Sequence, residues 1–245
     1  MNENVNYNND ESTQFNEPFI SIILPIYNEE KSIKNVIHRI PGNLNYEVII
    51  VDDGSTDRTI QYVKEIKNPK IKIFKYAKNQ GYGAAILSGL KYARGDIIIT
   101  LDSDGQHNPK EIPNLIKPIL HNEANIVIGS IYKGNNNYNY PLYRRIGEFV
   151  IRVIIWIVFY QEIDNNQSGF RAFKKSIKHI FYDIKRKGMG FTTEFLFRAY
   201  SNKLKIKEVP ISVKARVHGS SKVKNNQVLR GVCGSIIRYF RKKLK

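Results

Sequence analysis

The chain has 245 residues, of which 42% are hydrophobic and 11% aromatic, and this composition excludes a disordered or fibrous protein. Its single cysteine, Cys233, excludes an intrachain disulfide framework and a cysteine zinc site. The formal net charge of +17 indicates an anionic partner: nucleic acid, a phosphorylated small molecule or an acidic membrane surface.

The amino-terminal residues 1–18 are rich in Asn, Glu and Ser and have no apolar segment, which predicts a disordered tail rather than a signal peptide. No apolar run reaches the roughly 20 residues that cross a bilayer. The nearest candidate, residues 149–160, would form a helix about 18 Å long. We expect it to be buried or to lie in the membrane interface.

Short apolar runs alternate with helical periodicity through the first half of the chain. This alternation predicts an α/β fold with a mostly parallel sheet and right-handed crossovers. The predicted strands are residues 19–25, 46–51, 71–76, 96–99 and 125–129. The predicted helices are residues 31–40, 59–66 and about 110–120, together with a helix that opens within residues 79–85 and runs to about residue 93.

The alternation stops after Gly129, and only residues 203–213 again resemble a strand. Residues 226–245 carry an apolar stripe at helical spacing, and from Pro210 to the end the chain has ten Lys or Arg and no acid. We therefore expect a single globular domain over residues 19–224 and a basic amphipathic helix over residues 225–245. That helix either lies on an acidic membrane or packs on the domain.

Acidic residues follow three of the predicted strands, at residues 25–29, 52–53 and 102–104. In a parallel sheet these strand ends share one crevice, where such folds bind ligands. Asp102, Asp104 and the amide oxygen of Gln106 form an all-oxygen set that suits Mg²⁺ or Mn²⁺. Asp53 can accept hydrogen bonds from a ribose or a base, and Tyr27 offers a flat surface to a base. The alternative for each acidic turn is a local helix cap.

Two nucleotide-binding motifs are excluded. Gly81-Tyr82-Gly83 lacks the third glycine and the context of a dinucleotide fingerprint, and it more simply lets a helix start close to the sheet. The chain also lacks the glycine-lysine signature of a P-loop.

Seven ordered motifs together resemble glycosyltransferase family 2, in its dolichyl-phosphate mannose synthase and polyprenyl-phosphate glycosyltransferase branch. The resemblance covers residues 19–224. The motifs are Pro25-Ile-Tyr27-Asn28-Glu29, Asp52-Asp53-Gly54-Ser55, Asn79-x-Gly81-x-Gly83, Asp102-Ser-Asp104-Gly-Gln106-His107, Ser168-Gly169-Phe170-Arg171, Glu208-Val209-Pro210-Ile211 and Arg216-Val-His-Gly219-Ser-Ser221-Lys222.

The resemblance implies a GT-A fold that uses a nucleotide sugar and a divalent metal, Mg²⁺ or Mn²⁺. It assigns the metal to Asp102, Asp104 and Gln106, with backbone from Leu101 and Ser103 nearby. The residues that it places around the nucleoside are Pro25, Tyr27, Glu29, Val51 and Asp53. It also implies that Arg216 and Lys222 close over the phosphates, which agrees with the stabilisation of a leaving diphosphate by fixed cations. The alternative for this last pair is an ordinary basic surface loop.

Two positions depart from the family pattern. Ile131 stands where related enzymes commonly have Arg, so one phosphate contact is missing. Asn165 stands where they commonly have Asp, with Asp164 one residue earlier. Both departures concern the acceptor rather than the donor.

The sequence shows no evident general base to take a proton from the acceptor. A lipid phosphate needs none, because its second pKa of about 6 leaves it mostly deprotonated near neutral pH. We expect Arg144 and Arg145 to hold that phosphate, although a helix-flanking basic pair is the alternative. Direct displacement would invert the anomeric configuration. A polyprenyl acceptor stays in the bilayer, so the enzyme would lie on the cytoplasmic face of a membrane, bound through residues 149–160 and the basic tail.

The predicted activity is transfer of a hexose, by expectation mannose from GDP-mannose, to dolichyl or polyprenyl phosphate. UDP-glucose or another nucleotide sugar, with a lipid-phosphate or saccharide acceptor, is the alternative. A nucleic-acid-binding module would require basic residues interleaved with aromatics on one face, and we expect no nucleic-acid partner. A non-catalytic nucleotide-binding relative is disfavoured by the intact Asp102 and Asp104.

Overall fold

The computed structural model describes residues 17–134, 142–185, 187–188, 190–214 and 233–241, with the side chains of Tyr143 and Arg144 also left out. The strands are β1 (Ile20–Ile26), β2 (Tyr46–Asp52), β3 (Ile71–Lys75), β4 (Ile97–Thr100), β5 (Ile126–Ser130), β6 (Arg171–Lys174) and β7 (Ile206–Pro210). The helices are α1 (Ile33–His38), α2 (Thr59–Glu65), α3 (Tyr82–Tyr92), α4 (Ile112–Leu120), α5 (Leu142–Phe159) and α6 (Gly190–Ser201). Residues 233–241 are also helical.

The seven strands form one sheet in the order β3-β2-β1-β4-β6-β5-β7. Strands β3, β2, β1 and β4 are parallel, as are β5 and β7. Strand β6 is antiparallel to both of its neighbours, β4 and β5. The predicted α/β fold with a mostly parallel sheet is thus confirmed, and its strands from β1 to β5 begin and end within two residues of the expected positions.

The sheet is covered on both faces because successive side chains of a strand point to opposite sides. Ile22 and Leu24 of β1 pack in one core cluster with α1, α2 and α4. Ile23 of the same strand packs in the other cluster with α3, α5 and α6. This burial on both faces explains why the strands read as unbroken apolar runs.

The second half of the chain differs from the sequence expectation in two places. Strand β6 and helix α6 were not predicted, since Arg171–Lys174 is short and α6 has little amphipathic contrast. The apolar helix begins at Leu142 rather than at residue 149, so Arg144 and Arg145 lie within α5 and not before it. The apolar character starts at Phe149, but the helix extends further towards the amino terminus, through Glu148, Gly147 and the two arginines.

Helix α5 has 18 residues, about 27 Å at 1.5 Å per residue. Ile151 and Ile155 point into the core, whereas Phe149, Trp156 and Ile157 are each more than half exposed. Of the helices that the structure describes, none combines the length and apolarity needed to cross a bilayer.

Only residues 233–241 of the predicted carboxyl-terminal helix lie within the described part of the chain, and the predicted amino-terminal tail lies outside it up to residue 16. The described part contacts the domain: Ser235 Oγ donates to the carbonyl of Gly190 at 2.9 Å, and the Tyr239 ring packs on Phe159 and Phe197. Ile237 remains about half exposed. This segment therefore combines docking on the domain with an apolar outer surface.

A cluster of charged and polar side chains around a buried glutamate lies at the opposite end of the sheet, near the amino-terminal ends of β1 and β2. Glu47 of β2 is 3% exposed and accepts hydrogen bonds from Ser21 Oγ at 2.8 Å, Lys72 Nζ at 2.9 Å and the backbone N–H of Arg94 at 3.0 Å. Burial alone would raise the pKa of Glu47, but these donors outweigh burial and lower it to about 2. The carboxylate thus joins β1, β2, β3 and the loop that precedes β4.

Glu47→Gln is expected to lower the free energy of unfolding by about 2 kcal/mol at pH 7, because the amide loses the charge-assisted hydrogen bonds that hold the pKa of this carboxyl at about 2, and the exposed partners Lys72 and Arg94 are partly screened by water. Because the pKa is lower in the folded state, this contribution is complete above pH 4.5 and is lost as the pH falls towards 2. The two proteins should therefore approach the same stability only near pH 2. Urea unfolding across pH 2–8 measures the difference.

Glu65→Gln is the matched control, since the ion pair of Glu65 with Lys34 is exposed and should contribute little. Equal stability of Glu47→Gln and the wild type at pH 7 would contradict the structural role of this cluster.

Candidate functional site

The carboxyl ends of β2, β1 and β4 lie side by side, because these three strands are adjacent and parallel. Backbone pairing continues past the strands: the Asp53 N–H donates to the carbonyl of Ile26 at 2.8 Å, and the Leu101 N–H donates to that of Ile23 at 3.1 Å. The structure therefore brings the predicted acidic strand ends to one edge of the sheet.

The turn after β4 is attached to the chain after β1 through two serines. Ser103 Oγ donates to the carbonyl of Pro25 at 2.8 Å. Ser32 Oγ lies 2.7 Å from the carbonyl of Ser103 and 3.0 Å from Glu29 Oε2. Glu29 is thereby placed beside the turn that carries the candidate metal ligands.

The same turn contains Asp102, Asp104 and Gln106. Gly105 has a φ of +78°, a backbone conformation that residues with a side chain rarely adopt. The Gln106 N–H donates to Asp104 Oδ1 at 3.1 Å. The Gln106 side-chain amide donates to the carbonyl of Lys214 at 3.3 Å, and the Lys214 N–H donates to the carbonyl of Gln106 at 3.0 Å. The turn is therefore tied to the last described residue before Arg216.

The donor set fits a divalent cation. Among the described residues no three His, Cys, Asp or Glu side chains form a cluster, so a site made entirely of such side chains is not seen there. Two carboxylates and one amide oxygen in five residues suit Mg²⁺ or Mn²⁺, which complete their shells with water and phosphate oxygens. These residues would hold the cation at the strand edge, where it would neutralise negative charge on a diphosphate.

Asp53 has a structural role in addition to the one expected. Its two carboxylate oxygens accept hydrogen bonds from the backbone N–H groups of Gln80 at 2.6 Å and Gly81 at 2.9 Å. Burial raises the pKa of Asp53, and the neighbouring Asp52 charge adds to the rise while the two N–H donors oppose it. Asp53 thus fixes the glycine loop that opens α3. Its contact with a nucleoside stays a prediction.

The other residues assigned to the nucleoside divide into two groups. Tyr27 and Glu29 are partly exposed at the strand edge. Pro25 and Val51 are buried within β1 and β2, and Leu101 is fully buried after β4. The buried residues would therefore border a ligand through their backbone, which is the role expected for Leu101 and Ser103.

Tyr82 and Arg171 were missed as site residues, although both stand in noted motifs. Burial, and after it the nearby Asp102 charge, raise the pKa of Tyr82 well above its ordinary value. Arg171 is 3% exposed, and burial lowers its pKa to about 10, opposed by the charge of Asp102. Arg171 therefore remains a cation at neutral pH. The motif spacing alone did not reveal that α3 and β6 meet at Asp102.

The structure describes only some of the residues assigned to the acceptor phosphate and to the donor diphosphate. Arg145 is exposed near the start of α5, whereas the side chain of Arg144 is not described. Arg216 and Lys222 lie outside the described residues. Their proposed contacts with phosphate stay predictions.

At both positions that depart from the family pattern, the structure shows what the residue present contacts. Ile131 is 6% exposed in the core that faces α4, and a charged side chain could not be buried there without a partner. The Asn165 N–H donates to Glu208 Oε1 at 2.7 Å, and Asp164 forms an ion pair with Arg152 at 2.8 Å. The Asp164 carboxylate is therefore already paired in this structure.

Comparison with known proteins gives the same family on two grounds. Residues 21–181 match the family model "Glycosyl transferase family 2". The chain is 37% identical over 215 residues to the UDP-N-acetylglucosamine–dolichyl-phosphate N-acetylglucosaminyltransferase of Methanococcus voltae, covering 80% of this chain and 85% of that protein. It is 34% identical over 218 residues to the dolichol-phosphate mannosyltransferase of Pyrococcus furiosus, covering 85% of this chain but only 60% of that protein.

The fold also matches a solved structure. Glucosyl-3-phosphoglycerate synthase from Mycobacterium tuberculosis, crystallised with Mn²⁺, UDP-glucose and phosphoglyceric acid, superposes with a TM-score of 0.68 at 22% identity. The match covers 89% of this chain and 79% of that chain, and it confirms the expected GT-A fold. With the family model and the two relatives, it leads to one conclusion: the chain belongs to glycosyl transferase family 2 and is a glycosyltransferase.

Proposed function

We propose that this enzyme transfers a sugar from a nucleotide sugar to dolichyl or polyprenyl phosphate at the cytoplasmic face of a membrane. The observation that carries the proposal is the turn at Asp102, Asp104 and Gln106, which is held at the carboxyl edge of three parallel strands and bonded to Lys214. The acceptor class is supported by the names of the two relatives, both of which act on a dolichyl or dolichol phosphate.

On the donor side, Asp102, Asp104 and Gln106 would hold Mg²⁺ or Mn²⁺ against the diphosphate, with Tyr27, Glu29 and Asp53 towards the nucleoside. Arg216 is two residues beyond Lys214, so at most about 7 Å of extended chain separates their α-carbons. Lys214 is hydrogen-bonded to Gln106 in the candidate metal turn. Arg216 must therefore lie near this turn, which supports a contact with the diphosphate. Lys222 would join it, and the two cations would stabilise the leaving nucleoside diphosphate.

On the acceptor side, the lipid phosphate is mostly a dianion near neutral pH and can act as the nucleophile without a base. One phosphate oxygen forms a bond to the anomeric carbon while the bond from that carbon to the diphosphate oxygen breaks. The electron pair leaves with the nucleoside diphosphate. Attack opposite the leaving group inverts the configuration, so an α-linked donor gives a β-linked product. Arg144 and Arg145 would orient the acceptor phosphate.

The membrane contact is assigned to the outer face of α5. Eight large apolar side chains of this helix and its end are exposed: Leu142, Ile146, Phe149, Val150, Val153, Trp156, Ile157 and Tyr160. Contiguous exposed apolar surface of this kind is typical of a protein or membrane interaction site. The net charge of +17 favours acidic lipids as the partner.

The donor sugar has two candidates. GDP-mannose is the sequence-based expectation, and the mannosyltransferase relative from Pyrococcus furiosus is consistent with it. A UDP-sugar is the second candidate, favoured by the 37% identical relative that uses UDP-N-acetylglucosamine.

Incubation of the full chain with polyprenyl-phosphate vesicles, Mn²⁺ and each labelled donor in turn is expected to give lipid-linked label with one donor. GDP-mannose, UDP-glucose and UDP-N-acetylglucosamine form the panel. A chelator should abolish the label, and Asp104→Ala should reduce it about 100- to 1,000-fold because charge on the leaving group loses its stabilisation. Full transfer by Asp104→Ala would show that the metal assignment is wrong, and label in a water-soluble saccharide only would exclude the lipid acceptor.

Mn²⁺ binding tests the metal site without catalysis. Asp104→Asn is expected to weaken Mn²⁺ binding in the presence of a nucleoside diphosphate by more than about 10-fold, measured by calorimetry or electron paramagnetic resonance. Asp96→Asn is the control, because Asp96 directly precedes β4 at its opposite end. Equal losses in the two variants would remove the assignment from the strand edge.

Trp156 reports directly on membrane contact, because it is the single tryptophan of the chain and is 54% exposed on α5. Vesicles with acidic lipids are expected to shift its fluorescence to the blue, and zwitterionic vesicles should do so less. Phe149→Ser should weaken vesicle binding about 10-fold, since it removes apolar area that would be buried. Tyr182→Ser, at an exposed residue outside α5, should have no effect; an unchanged Trp156 spectrum would exclude this face as the membrane contact.

A further inference from the structure

Hydrogen bonds from backbone to side chain join the segment after β1 to the segment after β2. Backbone pairing of the two strands ends at Ile26 and Asp52. Beyond that point three successive N–H groups donate to side-chain oxygens: Asn28 to Ser55 Oγ at 2.9 Å, Glu29 to Thr59 Oγ1 at 2.8 Å and Glu30 to Asp57 Oδ2 at 3.3 Å. Side chains thus continue the connection that the strands begin.

Asn28 is the centre of this connection, because it both donates and accepts. Its N–H donates to Ser55, and its side-chain Oδ1 accepts the N–H of Thr56 at 2.7 Å and that of Asp57 at 3.4 Å. The φ of Asn28 is +54°, in the left-handed region that Asn adopts more readily than most residues with a Cβ. The connection therefore uses both the amide group and the backbone conformation of this residue.

Asp52 anchors the other side of the connection. It is fully buried at the end of β2, and its Oδ1 accepts the N–H of Ser55 at 2.8 Å. Ser55 Oγ in turn accepts the N–H of Asn28. A path of two hydrogen bonds therefore leads from the sheet, through a buried carboxylate and a buried hydroxyl, to Asn28.

The residues assigned to the nucleoside stand on both sides of this connection. Tyr27 and Glu29 are the direct neighbours of Asn28 in the chain, and Asp53 precedes Ser55 by two residues. Because these three side chains belong to two different loops, their relative placement depends on how the loops are joined.

We propose that Asn28 is a positioning residue for the nucleoside part of the donor, and that its side-chain oxygen holds the segment of Tyr27 and Glu29 against the loop that carries Asp53. The inference rests on the proposed use of a nucleotide sugar. A nucleoside that contacts both loops at once loses contacts when one loop shifts against the other. The loss affects binding of the donor in the ground state and the transition state alike, so it changes KM rather than kcat.

Three substitutions isolate the accepting oxygen of Asn28. Asn28→Gly removes it and still allows the left-handed backbone. Asn28→Asp retains an oxygen acceptor in a residue that also tolerates this conformation. Ser55→Ala opens the same connection from the other loop, because it removes the oxygen that accepts the Asn28 N–H.

Asn122 supplies the matched control. Its φ is +57°, and its Oδ1 accepts a hydrogen bond from Lys174 Nζ at 2.7 Å. It lies in the turn between α4 and β5, which leads into the amino-terminal end of that strand. Asn122→Gly therefore removes an equivalent oxygen from an equivalent backbone conformation at the opposite end of the sheet.

Calorimetric binding of GDP and of UDP to the full chain in the presence of Mn²⁺ is the measurement. Asn28→Gly and Ser55→Ala are each expected to weaken binding of the nucleotide that the wild type prefers by about 10-fold. Asn28→Asp should retain most of the affinity, and Asn122→Gly should bind as the wild type does. With the nucleotide sugar as substrate, Asn28→Gly should raise KM by a similar factor and leave kcat nearly unchanged.

Tyr27→Ala separates this inference from the proposed function. If Tyr27→Ala loses nucleotide affinity while Asn28→Gly and Ser55→Ala keep it, the positioning role is wrong and the nucleotide site stands. Equal losses in Asn28→Gly and Asn28→Asp, or in Asn28→Gly and Asn122→Gly, also overturn the positioning role, since the accepting oxygen of this loop would not be the cause. Absence of GDP and UDP binding by the wild type overturns the proposed function and the inference together.

Discussion

The attachment of the β4 turn to β1 is the constraint on which the site depends. Strand β4 has only four residues, so it cannot by itself direct the chain that follows it. Ser103 and Ser32 provide that direction, through hydrogen bonds of 2.8 Å to the carbonyl of Pro25 and 2.7 Å to that of Ser103. The two aspartates on either side of Ser103 are fixed as a consequence. The acidic pair is therefore a built feature of the sheet edge and not only a solvated turn.

The antiparallel strand β6 brings a second group of residues to this edge of the sheet. A sheet of parallel strands alone would leave the far side of Asp102 to a crossover helix. Because β6 runs between β4 and β5 in the opposite direction, its amino-terminal end lies at the same edge as the carboxyl end of β4, and Thr100 pairs with Arg171. A buried guanidinium and a glycine thus stand behind a candidate metal ligand. One buried positive charge therefore lies near this carboxylate, where water screens it little.

The apolar outer face of α5 and the described part of the carboxyl-terminal helix belong to a common surface, since Tyr239 packs on Phe159 at the end of α5. The proposed activity takes one substrate from water and the other from a bilayer, so it would require the groups that bind the acceptor to lie beside such a surface. Arg145, in the first turns of α5, satisfies this requirement. A single helix therefore connects the proposed phosphate contact with the proposed membrane contact.

The amino-acid sequence by itself determined the alternation of strands and helices as far as β5, the acidic residues at the strand ends and the family. These are local properties, because hydrophobic period and turn residues are read within a few positions. Only the tertiary structure decided that β6 inserts antiparallel, that Asp53 binds the backbone of the glycine loop, and that Gly169 lies against the Asp102 carboxylate. Gly169 follows Asp102 by 67 residues, and no local pattern encodes a contact over that separation. Such contacts arise from strand pairing and packing of the whole domain, which is why the acidic residues at the strand ends could be identified from the sequence and the residues packed around them could not.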